Sequence, residues 1–202
     1  MPATISLIPA QQYELIRDNI AVILLDELTE QATLDNTFKA PTAIFTERFF
    51  PFDKSEIPTI NVCFFSGDYS NKTQTKSEGR YTFYIDCYTN SATIGANRGD
   101  ALAQAKLGQL MGKCRAILEN PVYNTVGLAA GTVQRVAVKK IAVVYKEQDP
   151  SALNDIVGRI VFEATATETT PLKTAIPLLL EGTTAKLYDT ELGYYFGTLP
   201  TP

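Results

Sequence analysis

Residues 80–88 read Arg-Tyr-Thr-Phe-Tyr-Ile-Asp-Cys-Tyr. In an extended chain Tyr81, Phe83, Ile85 and Cys87 fall on one side, and Arg80, Thr82, Tyr84 and Asp86 on the other. A period of two cannot be laid on a helix without scattering the apolar residues around it, so the segment must be a strand with one buried face. A half-buried strand implies a sheet with one side on the core, hence a second layer to cover that side.

Two helices can supply the layer. Over 9–30, Ile16, Ile20, Ile23, Leu24 and Leu28 recur at three-to-four spacing, and Pro9 suits a first helical turn. Leu15, Val22 and Leu25 lie off that stripe, so this helix is either sandwiched within its own domain or covered by a neighbouring subunit. Over 100–119 the stripe is narrower: Ala103, Leu107, Leu110, Cys114 and Ile117, with Asp100 as the expected N-cap and Asn120-Pro121 as the stop. Gly108 and Gly112 are four apart in this helix, and the expectation is that they let the sheet approach closely.

The remaining strands are expected at 42–50, 59–66, 132–145 and 155–167. Along 132–145 Val136 and Val138 share one parity, while Ile141, Val143 and Tyr145 have the other. The phase slips at Lys139-Lys140, as a β-bulge would make it do. In 155–167 Ile156, Ile160, Phe162 and Ala164 point inward, and Arg159, Glu163 and Thr165 outward. The stretch 67–79 is polar apart from one tyrosine and reads as a long, solvated loop; 147–154, with Asp149-Pro150-Ser151, reads as a turn. The fold class is therefore α+β: a mostly antiparallel sheet packed against two helices, with a C-terminal extension. The domain is expected to span 1–167, and a C-terminal arm 168–202.

The chemistry is narrow. The chain has no histidine, which removes the Ser-His-Asp and Cys-His arrangements and the commonest metal ligand. No P-loop, GxGxxG or HExxH spacing occurs. Gly127-Leu-Ala-Ala-Gly131 lacks the lysine and helix start of a phosphate loop. Asp26, Glu27 and Glu47 read as solvated carboxylates. Cys63, Cys87 and Cys114 sit in apolar contexts as free thiols, in keeping with a reducing cytosol. No signal peptide and no bilayer-length apolar run are visible, so the expected place of synthesis is the cytoplasm. A net charge of −4 disfavours a dedicated duplex-DNA binder. Phe45, Phe49, Phe50, Phe64 and Phe65 could stack bases, but core packing accounts for them equally well. No catalytic residue, cofactor or metal site is expected, and the chain reads as a non-enzymatic assembly component.

The arm carries the strongest interface signal. Ile176, Leu178, Leu179, Leu180, Leu187, Tyr194, Tyr195 and Phe196 follow a domain that already has its core, and apolar surface on that scale marks a protein contact.

The opening helix around Gln12-Tyr-Glu-Leu-Ile-Arg17, the segment Glu56-Ile-Pro-Thr-Ile-Asn-Val62, the strand Arg80-Tyr-Thr-Phe-Tyr-Ile-Asp86, the helix from Gly99-Asp100-Ala-Leu-Ala and the strand Arg159-Ile-Val-Phe-Glu163 come in a distinctive order. Over roughly residues 10–167 that order resembles the tail terminator proteins of tailed bacteriophages, the lambda-type minor tail protein family. The resemblance implies a virion subunit, made in the host bacterial cytoplasm, that forms a hexameric ring. It implies that the ring caps the tail tube and joins it to the head connector. It also implies partners: other copies of the chain, the tail tube protein, the head–tail connector and neck proteins, and DNA passing through the lumen without sequence-specific contacts. No membrane partner is implied. The alternatives are a head-completion or connector protein of the same fold and a non-catalytic nucleic-acid-binding module. Within the ring reading, Ile176, Leu178, Leu180, Leu187, Tyr194, Tyr195 and Phe196 are the interface residues. Lys139, Lys140, Lys72 and Lys76 are then the residues expected to face the lumen. The tail after Thr167 and the long 49–58 connection depart from the family pattern.

Overall fold

The computed structural model describes residues 10–49, 52–71, 76–90, 99–144, 156–169, 185–190 and 193–198. The chain divides into two compact units, Met1–Thr169 and Thr170–Pro202.

The first unit is α+β. Helix α1 spans Gln12–Leu34, β1 Ile44–Thr46, β2 Thr59–Asn71, β3 Lys76–Thr89, α2 Gly99–Leu118, β4 Val133–Val144 and β5 Ile156–Thr169. Short 3-10 turns stand at Lys54–Glu56 and Pro121–Tyr123. The five strands form one sheet in the order β1-β2-β3-β5-β4, antiparallel except for β1, which runs parallel to β2.

Alternation in β3 is what holds the layers together. Tyr81, Phe83, Ile85 and Cys87 are all fully buried, as are Ile160, Phe162, Ala164 and Ala166 beside them on β5. The helices cover this side alone within the unit: Ile16, Ile20, Leu24 and Leu28 of α1 and Ala103, Leu107, Leu110, Cys114 and Ile117 of α2 are buried against it. Helix α1 begins where the Glu14 carboxylate accepts the Gln11 N–H at 2.7 Å, satisfying one of the amides that a helix start leaves without a partner. Leu15 and Val22 stay exposed on its far side.

Several expectations are corrected. The strand expected at 42–50 shrinks to three residues, because Glu47 adopts a left-handed φ of 56° and turns the chain off the sheet edge. The loop expected at 67–79 is mostly strand: β2 and β3 pair continuously from Tyr69↔Gly79 out to Asn71↔Ser77, so polarity here marks a solvated ribbon, not a loop. Asp100 is not the N-cap of α2, which already includes Gly99. Gly108 and Gly112 face away from the sheet, with nothing near an added Cβ. The close approach comes from the sheet instead: a Cβ on Gly158 of β5 would lie 2.2 Å from Met111 Sδ and 3.1 Å from Leu107 Cδ1. The bulge at the lysine pair is present, as a register shift between Val138 and Lys140. Residues Pro9, Phe50, Tyr145 and the turn at 147–154 lie outside the described residues.

The second unit contains a two-stranded antiparallel hairpin, β6 Ala185–Thr190 and β7 Gly193–Thr198, with Leu187 opposite Phe196 and Tyr188 opposite Tyr195.

Candidate interaction surface

The side of the sheet away from the helices carries an ordered set of aromatic and charged side chains. A register shift between Phe64 and Ser66 inserts Phe65 as an extra residue in β2. By ordinary alternation Phe64 packs inward on Phe83 while Phe65 lies outside on Tyr84, ring centroids 4.2 Å apart. The Arg159 guanidinium lies over the same tyrosine at 4.3 Å, and its fork meets Asp86 at 2.7 and 2.8 Å. Phe65, Tyr84, Arg159 and Asp86 therefore form one continuous stack. The arrangement satisfies Asp86, which is almost fully buried and would otherwise be costly to hold there. The Arg159 pKa is raised by its hydrogen bond to Asp86.

At the β1 edge, the backbone leaving the sheet is fixed by side chains. Asn61 acts as a substitute strand residue: its Oδ1 accepts the Arg48 N–H at 3.1 Å, and its Nδ2 donates to the Arg48 carbonyl at 2.9 Å. The Arg48 guanidinium sits 4.5 Å from the Phe45 ring centre and 4.6 Å from that of Phe52, and forks onto Glu56 at 2.7 and 3.0 Å. That fork holds the Glu56 carboxyl below its ordinary pKa. Glu47, in its left-handed conformation, accepts the Phe64 N–H at 2.7 Å and so satisfies the bulge. The next residue after this locked arginine, Phe49, is 89% exposed.

Burial, with Glu47 and Asp86 nearby, pushes the Cys63 thiol up to about 11, away from the thiolate a nucleophile needs. Cys87 and Cys114 are fully buried. Glu27 accepts from the Tyr123 hydroxyl, a structural role. Among the described residues, no group of three or more His, Cys, Asp or Glu side chains could hold a metal ion, and no helix is long and apolar enough to cross a membrane.

The residues singled out from sequence fall in separate places. Lys139 and Lys140 are exposed at the β4 bulge, and Lys139 already pairs with Glu163 at 3.1 Å. Lys76 opens β3 and is exposed; Lys72 lies outside the described residues. Leu187 stands on β6 and Tyr194, Tyr195 and Phe196 on β7, while Ile176, Leu178 and Leu180 lie outside the described residues. Sequence reasoning missed the Arg48–Glu56 lock and the outward turn of Phe65. The signal for the second was present, since two consecutive phenylalanines cannot both face the core of one regular strand. Compared with known proteins, the chain matches no family model and no curated protein.

Proposed function

We propose that this chain is a non-catalytic virion assembly protein, a ring-forming tail terminator that caps a phage tail tube and joins it to the head connector. The observation that carries the reading is the second unit. Two six-residue strands on their own are marginal in water at best, and this pair bears Leu187, Tyr188, Tyr194, Tyr195 and Phe196. Such a hairpin gains stability by packing on a further surface, which a ring or a stack of rings supplies. The α+β unit with helices on one side of its sheet is consistent with the same reading. So are Leu15 and Val22, left exposed on α1 where a neighbouring subunit would cover them.

Within this reading the partners are other copies of the chain, the tube end and the neck proteins, and the protein works in the virion after synthesis in the bacterial cytoplasm. Lys139, Lys140 and Lys76 face DNA in the lumen. A head-completion protein of the same fold is the near alternative. A single-strand-binding module has one feature in its favour, the exposed Phe65 ring, but Arg159, which shares Tyr84 with it, already holds Asp86.

The test is the mass of the full chain by light scattering, with negative-stain imaging alone and with tail tubes. A hexameric ring with a central hole, or a cap at tube ends, supports the proposal. A chain that neither forms rings nor binds tube ends contradicts it.

A further inference from the structure

We infer that Cys87 and Cys114 form a latent redox lock: two thiols, one on β3 and one on α2, that an oxidant closes into a disulfide joining the helix layer to the sheet.

The packing of α2 brings the pair together. Cys87 is fully buried on the helix side of β3, directly opposite Gly158 of β5. Because Gly158 has no side chain, α2 comes down on it; its Cβ position lies 2.2 Å from Met111 Sδ and 3.1 Å from Leu107 Cδ1. Cys114 follows Met111 by three residues, on the same face of the helix, and is also fully buried. The ridge Leu107, Met111, Cys114 thus crosses the strand pair at Gly158 and Cys87, and the two thiols share a hydrogen bond. The third cysteine, Cys63, stands opposite Tyr84 on the other side of the sheet and does not compete within the fold.

The same contact keeps the pair reduced while the layers are closed. The hydrogen bond to Cys114, and then burial, raise the Cys87 pKa well above the ordinary thiol value. Neither sulfur offers a thiolate or a path for an oxidant. Closure therefore waits on brief opening of α2 from the sheet. With hydrogen peroxide as oxidant, one thiol then becomes a sulfenic acid and a water leaves. The second thiol attacks that sulfur, the S–S bond forms, and a second water carries off the remaining peroxide oxygen. The pair has lost two protons and two electrons, and the peroxide has gained them.

Closure draws the sulfurs from hydrogen-bond range to about 2 Å. It seals a loop from residue 87 to residue 114, which contains the whole connection into α2 and most of the helix. Such a link restricts the unfolded chain and ties α2 to the sheet. Under the ring reading, the occasion for closure is release of particles from a reducing cytoplasm; the chemistry itself does not depend on that reading.

The test uses the full chain carrying Cys63→Ser, so that only these two thiols remain. It is reduced, then exposed to hydrogen peroxide in two samples, one without denaturant and one in urea below the unfolding midpoint, where opening is faster. Remaining thiols are alkylated in strong denaturant and counted by intact mass and peptide mapping. The expected product is a single chain lighter by two hydrogen atoms, free of alkyl groups, with the peptides of Cys87 and Cys114 linked. Its melt should lie several degrees above that of the reduced chain. Dithiothreitol should reverse both changes, and Cys114→Ala in the same background should show neither. Closure in either sample supports the inference. Chains alkylated at both positions in both samples, sulfinic acid at Cys87 in place of the link, links only between chains, or a linked product with a lower melt overturn it. A linked chain that forms no ring and binds no tube end leaves this inference standing and contradicts the ring reading.

Discussion

Gly79 and Gly158 both exist because something lies where a Cβ would be, but the two obstacles differ. A Cβ on Gly79 would meet the Tyr81 hydroxyl oxygen at 2.0 Å and the ring at 2.2 Å, and that ring is fully buried with its hydroxyl donating to Glu168. On Gly158 the obstacle is the thioether of Met111, which is flexible and can move. Gly79→Ala should therefore cost about 1–3 kcal/mol, the range for overpacking a filled core, and Gly158→Ala less; urea unfolding of the two variants checks the order. The ion pair at Glu56 gives a second residue-level prediction. Its folded pKa is lowered by the Arg48 fork from an ordinary 4.5. The stabilisation is thus complete above that ordinary value and disappears as pH falls through the depressed one. Glu56→Gln should reduce the acid-side loss of stability, and urea midpoints at neutral pH and near pH 3 measure it.

The β2–β3 pair is a ribbon well beyond the part that packs on the helices. The β3 amides at 76–79, paired with β2 on one side and β5 on the other, should exchange slowly with deuterium, within the protection range of the core strands; exchange at the rate of open loops would contradict the pairing. This ribbon was not legible in the sequence, because the apolar alternation that marks a strand vanishes where neither face is covered, leaving Gly67, Asp68, Ser70 and Asn71 to look like a loop. Where burial does impose a pattern, the reading held: the stripes of α1 and α2, the alternation of β3, and the phase slip at Lys139-Lys140 all correspond to what packs. The three-residue β1 shows the opposite case. Its end depends on a left-handed Glu47 held by a bulge in another strand, a long-range contact that no local window carries. The same reason hid the surface: Arg48 is an ordinary charged residue until Asn61, Phe45, Phe52 and Glu56 converge on it.

At the scale of the molecule, the first unit ends at Thr169, with β5 paired to its last residue. Removing residues 172–202 should leave that unit folded, with the same near-native circular dichroism and cooperative melt, while lowering oligomer mass or abolishing attachment to tube ends. A truncated chain that fails to fold would assign the hairpin to the core and contradict the assembly role given to it. The sheet order adds a temporal consequence. Strand β5 is the last of the five to be synthesised, yet it lies between β3 and β4, and among the described residues β4 has no other strand partner. Until the ribosome has passed residue 169, β4 has nothing to pair with and the α2 layer lacks half of the floor it rests on. Chains interrupted before that point present a broken edge in place of a finished one.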